Sequence, residues 1–375
     1  MIENQLIEQF KEQFRNHGRL FSSPGRINVI GEHTDYNQGF VLPTIIKQQF
    51  YVVISKRGGL DPFPIIRISS PQYNDFIEFN LFTAPQKQWA RYFYGVIKEF
   101  QKRGKEISSI DVMIHSDIPV GAGLSSSAAL CSAFGKALNG LFNFDLKLID
   151  LAYIGQAVEH NYIGVKCGLM DQFASLFGKK DTLIKLDCKT YEYEYIPFQY
   201  PEIKMVLFNS RVKHTLASSE YNLRRESCEN VVSILQLENP EIQSLRDVSL
   251  TLLMDSQKSI DEIDFKRAKY VIEENNRVIN LCSDLKKDDL SSLHYLIFAS
   301  HEGLRDQYEV SCKELDFLVE SAQKSPGIIG ARMMGGGFGG CTINFVEADH
   351  YDAFMAEMCA FFEKKYHKTA VYYEV

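Results

Sequence analysis

The chain has 375 residues, of which 45% are hydrophobic and 24% are charged. This length is enough to bury sizeable cores and favours two domains. The formal net charge of -7 argues against nucleic acid as a partner, because nucleic-acid-binding proteins normally carry a basic surface. No apolar run approaches the roughly 20 residues of a membrane span, and the first residues lack the pattern of a signal peptide. Eight cysteines occur without a CxxC pair or metal-type spacing. We therefore expect a cytoplasmic protein that acts on a small molecule.

A predicted amino-terminal helix leads into the stretch from Pro24 to Pro43, PGRINVIGEHTDYNQGFVLP. Here Arg26, Glu32, His33 and Asp35 stand between short apolar runs. A charge pressed against a core costs several kcal/mol unless it is paired, so such a set usually serves a ligand. A hydroxyl-rich ligand fits these residues. From the residues alone, a charged turn in which Arg26 pairs with one of the acids is the alternative.

Short strands separated by turn residues follow, and then a helix that begins near Trp89. Trp89 is the only tryptophan of the chain. It either anchors the core at the start of this helix or stacks on a nucleotide base, and the residue type alone does not decide between the two.

The alternation in SIDVMIHSDIP predicts a half-buried strand, which ends at Pro119. VGAGLSSS, from Val120 to Ser127, then leads directly into an apolar helix. Gly121 and Gly123 permit backbone geometries that turn successive N–H groups inward, and the helix start adds unpaired N–H groups and a positive dipole end. This arrangement predicts a phosphate cradle. A plain turn with Ser125 as the N-cap is the alternative.

Two acidic residues follow near helix ends. Glu159 lies near the carboxyl end of a predicted helix, where a carboxylate is mildly unfavourable and where a solvated side chain is the alternative. Asp171 lies at the start of a short helix that follows Gly168, and from the residues alone an N-cap is the preferred interpretation.

Two further segments complete the set of motifs. Tyr221 lies in SSEYNLRRESC, at a turn that passes into an amphipathic helix, and could simply be a partly buried helix residue. GARMMGGGFGGCTINF contains a formal GxGxxG at Gly335, Gly337 and Gly340, but a strand-like segment follows it instead of a helix. The dinucleotide-binding interpretation therefore fails on context, and the glycines indicate close approach to another loop or to a ligand.

Taken together, these segments resemble galactokinases, within the GHMP family of small-molecule kinases. The resemblance is carried by GRINVIGEHTDYNQGFVLP, PVGAGLSSSA, CGLMDQF, SSEYNLRRESC and the third glycine motif, and it covers most of the chain. It implies an α+β fold of mixed α/β layers in two domains, residues 1–190 and 191–375. In this fold the active site lies in the cleft between the domains, and the third motif packs on the phosphate loop.

The resemblance also implies an activity, the ATP-dependent phosphorylation of α-D-galactose at O1, which is the first committed step of galactose catabolism in the Leloir pathway. The implied catalytic residues are Asp171, which would accept or orient the O1 proton, and Arg26, which would balance phosphate charge. An arginine close to Asp171 favours orientation with late proton transfer over early abstraction. The sugar would be bound by Glu32, His33, Thr34, Asp35, Gly168, Asp171 and Tyr221. ATP would be bound by Ser70, Trp89, Gly121, Ala122, Gly123, Leu124, Ser125, Ser126 and Ser127, and Mg²⁺ by Ser127 and Glu159.

Three positions depart from the family pattern: Met334 stands where many relatives have threonine, Lys47 where they are often acidic, and Lys213 where they often have arginine. These differences bear on affinity and sugar range. The alternatives are a kinase for another sugar, such as N-acetylgalactosamine or arabinose, and a galactose sensor without catalysis, which the intact LSSSAA segment, Glu159 and Asp171 disfavour. A Rossmann oxidoreductase is a distant third. The expected state is a monomer.

Overall fold

The structure is a computed structural model that describes residues 2–58, 61–212 and 217–375, without the side chains of 217 and 218. The helices are α1 (Ile2–Phe14), α2 (Gln88–Lys102), α3 (Ser126–Phe142), α4 (Leu148–Val158), α5 (Met170–Phe177), α6 (Ala217–Leu235), α7 (Leu250–Asp255), α8 (Glu262–Leu285), α9 (Leu293–Asp306), α10 (Lys313–Ala322) and α11 (Tyr351–Tyr366). The strands are β1 (Arg19–Asn28), β2 (Phe40–Val41), β3 (Pro43–Lys56), β4 (Ile65–Ser70), β5 (Asp75–Asn80), β6 (Ile110–Ser116), β7 (Thr182–Asp187), β8 (Tyr193–Pro197), β9 (Ile203–Asn209), β10 (Ile328–Met333), β11 (Cys341–Glu347) and β12 (Val371–Glu374).

The described chain divides into two compact units, and the chain passes between them more than once. The first unit contains Met1–Arg26, Ile45–Val120 and Leu124–Phe177, and the second contains Ile27–Thr44, Gly121–Gly123 and Gly178–Val375. Most of the charged signature stretch therefore belongs to the second unit. The boundary near residue 190 stays a prediction.

The first unit contains most of a five-stranded sheet of order β1-β3-β6-β4-β5. β3 pairs with β6 in antiparallel register, with Val52 opposite Ile114, and β4 runs parallel to β6. The strand was predicted to be half-buried, but residues Ile110 to Ile114 are all buried, because the face that carries Met113 is also covered. Helix α1 covers part of this sheet by packing Leu6 and Phe10 against Val53 and Met113.

The second unit contains a four-stranded sheet of order β10-β11-β9-β12 and a three-stranded sheet of order β2-β7-β8. β9 pairs antiparallel with both β11 and β12. The longest helix of this unit is α8, whose N-cap Asp261 accepts hydrogen bonds from the N–H groups of Ile263 and Asp264. Such a cap satisfies amide groups that the first turn leaves without partners. Within the described residues, no helix combines the length and apolar character needed to cross a bilayer.

Candidate active site

Arg26 and Asp171, the two predicted catalytic residues, form an ion pair in the first unit. Arg26 is buried, and its Nε and Nη2 atoms each lie 2.8 Å from Asp171 Oδ1. The hydroxyl of Ser125 donates to the other carboxylate oxygen, Oδ2, at 2.6 Å. Asp171 lies in the first turn of α5 and Ser125 at the N-cap position of α3, but Ser125 makes no side-chain cap hydrogen bond. The capping interpretation of Ser125 is therefore wrong, since its hydroxyl is used to hold Asp171.

Hydrogen bonds between the surrounding elements explain how these residues come together. The Ser23 hydroxyl donates to the carbonyl of Ser175 at 2.9 Å, and the Ser175 hydroxyl donates to the carbonyl of Pro24 at 2.7 Å. These two bonds tie β1 to α5. The N–H of Arg26 donates to the carbonyl of Leu124 at 3.2 Å, which ties β1 to the segment that leads into α3. Gly168 is buried in the loop that precedes α5.

A cavity of about 580 Å³ opens in the first unit beside α2 and the start of α3. This volume is typical of small-molecule sites. Trp89 is half-buried at this cavity, and its indole N–H donates to Asp75 Oδ2 at 3.2 Å. Lys87 also pairs with Asp75, so the carboxylate that accepts the indole hydrogen bond is itself held in place. The predicted nucleotide-binding residues that line the cavity are Ser70, Trp89, Ser126 and Ser127.

Glu159 is only 6% exposed, which rules out the solvated alternative. It begins the π-helical turn Glu159–Ile163 that follows α4, a local irregularity often found at functional sites. Burial, with a smaller effect of the Asp171 charge, raises the pKa of Glu159 to about 7, and hydrogen bonds from Ser127 and Tyr92 oppose this rise. Sequence reasoning missed Tyr92, although it lies one helical turn after Trp89 on α2.

The side chains of Ser127 and Glu159 offer oxygen atoms, which are the type of ligand that Mg²⁺ prefers. Mg²⁺ prefers oxygen ligands and is usually held by one or two carboxylates together with substrate phosphates and water. The described residues contain no group of three or more His, Cys, Asp or Glu side chains that could hold a metal ion by themselves. A donor set completed by nucleotide phosphates is consistent with this finding.

In the second unit, the predicted sugar-binding residues of the signature form a buried turn. Glu32, His33, Thr34 and Asp35 are all buried. The Thr34 hydroxyl lies 2.9 Å from the carbonyl oxygen of Gly31 and 2.6 Å from that of Phe40, so it closes the turn. Asp35 Oδ1 accepts from the N–H of Tyr36 at 2.9 Å.

Two residues of α8 hold this turn from outside. Glu274 Oε1 accepts from the N–H of Gly31 at 2.9 Å, and Asn275 Oδ1 accepts from the N–H of Phe40 at 2.8 Å. Both ends of the turn are therefore fixed by one helix. Sequence reasoning missed these residues because nothing in the local pattern of α8 distinguishes them from other polar helix residues.

Glu32 is bound to the third glycine motif rather than to Arg26. Its Oε1 atom lies 3.1 Å from Arg332 Nη2 and accepts from the N–H of Gly335 at 2.8 Å. The Arg332 side chain is fully buried and also donates to the carbonyl of Val29 at 2.8 Å. The alternative interpretation, a charged turn in which Arg26 pairs with a signature acid, is therefore wrong, because Arg26 pairs with Asp171 and Glu32 pairs with Arg332. Sequence reasoning missed Arg332. The signal that could have identified it is a charged residue within the strand-like run IIGARM.

Tyr221 lies in α6 and is partly buried, with its ring centroid 5.2 Å from that of His33. His33 adopts a left-handed backbone conformation, with φ of 62°. Burial, and then the nearby charge of Arg224, lower the pKa of His33 from 6.5 to about 3. His33 is therefore a neutral imidazole at physiological pH.

The glycine loop of the third motif connects β10 to β11. A Cβ atom on Gly335 would lie 3.6 Å from the carbonyl oxygen of Gly123, and one on Gly340 would lie 3.8 Å from the carbonyl oxygen of Ala122. The prediction that this loop packs on the phosphate loop is thus confirmed for residues 121–123. Gly121 and Gly123 both have φ of 76°, which favours glycine.

Three positions were noted as departing from the family pattern. Met334 is buried beside the glycine loop, and its N–H donates to the carbonyl of Cys341 at 2.9 Å. Lys47 is exposed on β3. Lys213 lies outside the described residues.

Family comparisons agree with this architecture. The GHMP kinases N terminal domain matches residues 91–179, and the GHMP kinases C terminal domain matches residues 281–364. A mevalonate kinase from Methanococcus jannaschii superposes with a TM-score of 0.64 at 17% identity, covering 96% of this chain and 98% of that one, which shows the shared fold. The fold and its motifs define a small-molecule kinase of the GHMP class, and the predicted α+β class is confirmed.

More specific matches narrow this class. The galactokinase galactose-binding signature matches residues 8–56. The galactokinase of Fusobacterium nucleatum is 41% identical over 382 aligned residues, covering 100% of this chain and 97% of that one. The galactokinase of Thermotoga neapolitana is 40% identical over 353 residues, covering 94% of this chain and 96% of that one. A structure of Lactococcus lactis galactokinase complexed with galactose is 35% identical, with a TM-score of 0.93, and covers 100% of this chain and 97% of that one. The chain belongs to the galactokinase family.

Proposed function

We propose that this protein transfers the γ-phosphoryl group of ATP to O1 of α-D-galactose, giving galactose 1-phosphate and ADP. Family membership supports the activity, and the observation that carries the residue assignment is the carboxylate of Asp171, held on both oxygens by Arg26 and Ser125. Phosphoryl transfer has a loose transition state, so catalysis depends on positioning and charge neutralisation. A fixed carboxylate beside a buried arginine suits both needs.

In this proposal Asp171 orients the O1 hydroxyl and takes its proton late in the transfer. Its two oxygens already accept hydrogen bonds from strong donors, which favours orientation over early proton abstraction. Arg26 offsets negative charge that develops on the transferred group. Mg²⁺ held by Ser127 and Glu159 would neutralise phosphate charge when bound.

The nucleotide and the sugar are assigned to different residues. The cavity beside Trp89 would hold the base, with Asp75 fixing the indole, and the phosphates would bind the glycine-rich segment from Gly121 to Ser127. Glu32, His33, Thr34, Asp35, Gly168, Asp171 and Tyr221 would read the sugar. A site built to hydrogen-bond given hydroxyls can reject an analogue lacking one by about 10⁴.

A coupled ADP-release assay with Mg-ATP tests this proposal. Galactose should support turnover, whereas glucose, arabinose, N-acetylgalactosamine and a sugar-free control should not. Asp171→Asn preserves the side-chain volume and should lower kcat by about 10² to 10⁴. Asp349→Ala, at an exposed aspartate, is the matched control and should retain the wild-type kcat.

Each result has a defined consequence. Turnover with a different sugar alone would preserve the mechanism and replace the substrate. Full activity of Asp171→Asn would overturn the assignment of Asp171. If no sugar released ADP while galactose still raised the melting temperature, the protein would be a galactose-binding sensor.

A further inference from the structure

A chain of buried polar side chains lies behind His33 in the second unit. His33 Nδ1 lies 2.8 Å from the hydroxyl oxygen of Tyr36, which lies 2.6 Å from the hydroxyl oxygen of Tyr308. The chain ends at Cys228, whose Sγ lies 3.3 Å from the Tyr308 hydroxyl. Of these residues, only Tyr308 lies outside the segments that the sequence analysis singled out.

The groups of this chain are neutral at physiological pH. Burial raises the pKa of Tyr36 and of Tyr308 well above the ordinary value, and raises that of Cys228 to about 11. His33 has its pKa lowered to about 3. Each link therefore has one hydrogen to share, and the hydrogens must all point in one direction along the chain.

The two possible directions are not equivalent. If the hydrogens point toward Cys228, the chain ends on a thiol sulfur, a weak acceptor, or on the carbonyl of Arg224 at 3.5 Å from the Tyr308 hydroxyl. If they point toward His33, the thiol donates to Tyr308, Tyr308 donates to Tyr36, and Tyr36 donates to the imidazole nitrogen, a good acceptor. The second direction places the strongest acceptor at the end of the chain.

The second direction leaves the imidazole proton on Nε2. That atom is buried and has no hydrogen-bond partner among the described residues. The backbone of Gly336 lies close to the ring and raises the pKa of His33 against the larger effect of burial, but it makes no hydrogen bond of ordinary geometry to Nε2. A buried donor without a partner is costly unless a ligand satisfies it.

The backbone of His33 supports the same conclusion. Its left-handed conformation is uncommon among residues other than glycine, although histidine adopts it more readily than most, and Asn37 Nδ2 stabilises it by donating to the His33 carbonyl at 2.9 Å. Strained conformations of this kind concentrate at ligand-binding sites. The strain and the hydrogen-bond chain both fix the direction of one imidazole ring.

We propose that Tyr36 and Tyr308 are positioning residues that hold His33 as the tautomer protonated on Nε2, so that His33 donates a hydrogen bond to a hydroxyl oxygen of the sugar. This inference rests on the proposed function for the identity of the ligand. It assigns His33 a single role, that of donor, because Nδ1 is already occupied by Tyr36. The sugar hydroxyl facing His33 must then act as an acceptor.

The tautomer can be read directly in the sugar-free protein by ¹⁵N NMR of the imidazole nitrogens at pH 7. We expect Nε2 to carry the proton in the wild type, and Tyr36→Phe to convert His33 to a mixture of tautomers. Tyr295→Phe, at an exposed tyrosine of α9, is the control and should leave the spectrum of His33 unchanged. A wild-type His33 protonated on Nδ1, or a tautomer that is unchanged in Tyr36→Phe, would overturn the inference.

Kinetics provide a second readout, with Tyr308→Phe as the variant that leaves the Tyr36 hydroxyl in place. Both Tyr36→Phe and Tyr308→Phe should raise KM for galactose by roughly five- to tenfold, the effect of one lost neutral hydrogen bond, while KM for ATP stays constant. An equal rise in KM for galactose and KM for ATP, or no change in either, would contradict a positioning role. Because the NMR measurement needs neither sugar nor turnover, failure of this inference is distinguishable from failure of the proposed function.

Discussion

At the scale of single residues, the Ser125 hydroxyl donates to Oδ2 of Asp171, the carboxylate oxygen that Arg26 does not contact at 2.8 Å. Removing it in Ser125→Ala deletes a hydrogen bond to a charged group, worth about 1.5 to 3 kcal/mol. If this energy is expressed in the transition state, kcat should fall by roughly ten- to a hundredfold in steady-state assays. Ser132→Ala is a matched control on α3, because the Ser132 hydroxyl is buried without a hydrogen-bond partner among the described residues. Wild-type kcat in Ser125→Ala would show that Arg26 alone orients the carboxylate.

His33 gives a pH-dependent contribution to stability. The folded protein binds a proton at His33 only near pH 3, whereas the ordinary pKa of histidine is 6.5. As the pH falls below about 6.5 the unfolded chain gains a proton that the folded protein does not, so the free energy of unfolding decreases by up to about 1.4 kcal/mol per pH unit. This contribution is complete above 6.5 and is lost progressively towards pH 3.

Urea denaturation across this pH range measures the effect. His33→Gln should show a shallower loss of stability on acidification than the wild type. His17→Gln replaces an exposed histidine and should reproduce the wild-type pH dependence. Parallel curves for wild type and His33→Gln would mean that His33 does not remain neutral in the folded protein.

Much at this scale was open to sequence reasoning, but only by residue type. The roles of Arg26 and Asp171, and an arginine close to Asp171, were expected from the family resemblance, whereas the hydrogen bond from Ser125 to Asp171 was not. Thr34 was predicted as a sugar ligand, whereas its hydroxyl contacts two carbonyl groups of its own turn, so its role at the sugar stays a prediction. A side chain's partner depends on what the fold brings near it, which residue type does not encode.

At the scale of elements, the glycine loop between β10 and β11 packs closely against the segment that contains Val310. Gly337 has φ of 80°, and a Cβ atom there would lie 2.2 Å from the carbonyl oxygen of Val310. Gly337→Ala should therefore lose more stability than the roughly 1 to 2 kcal/mol of left-handed strain alone. Chemical denaturation of the variant measures this loss.

Gly104→Ala separates strain from collision. Gly104 has φ of 71°, similar to that of Gly337, but a Cβ atom there would meet no neighbour within 4 Å. Its variant should show only the strain. Equal losses for both variants would indicate that the backbone at Val310 moves aside at little cost.

Element boundaries were accessible to sequence reasoning where the signal was periodic. Alternation predicted the strand β6, and helical spacing predicted the helix α2. The prediction of a short helix after Gly168 is also confirmed. The π-helical turn at Glu159 was not predicted, because a one-residue change in hydrogen-bond pairing leaves the apolar spacing almost unaltered.

At the scale of the whole molecule, ligand binding should stabilise the folded protein. A ligand that binds only the native state adds RT ln(1 + [L]/Kd), which is about 2.7 kcal/mol at a concentration of 100 Kd. Galactose should therefore raise the melting temperature, and glucose at the same concentration should not. The measurement is differential scanning fluorimetry without nucleotide. Equal shifts for the two sugars would mean that the site does not read the hydroxyl by which they differ.

The two compact units affect how such a transition is analysed. The second unit has large buried clusters of its own, one of them around Val231, Tyr270 and Leu304. Separate cores can unfold in separate steps, so a single melting temperature requires coincident transitions by more than one probe. This condition should be checked before any of the variants above are compared.

The sequence by itself determined the local motifs: glycines where the backbone turns, apolar periodicity in the strands and helices, and polar residues set between buried segments. These depend on neighbours within a few positions along the chain. Only the tertiary structure decided the pairings, because Arg26 and Asp171 are separated by 145 positions, Glu32 and Arg332 by 300, and Tyr36 and Tyr308 by 272. Hydrogen bonds act over a few ångströms, so sheet register and helix packing decide which of many compatible side chains meet.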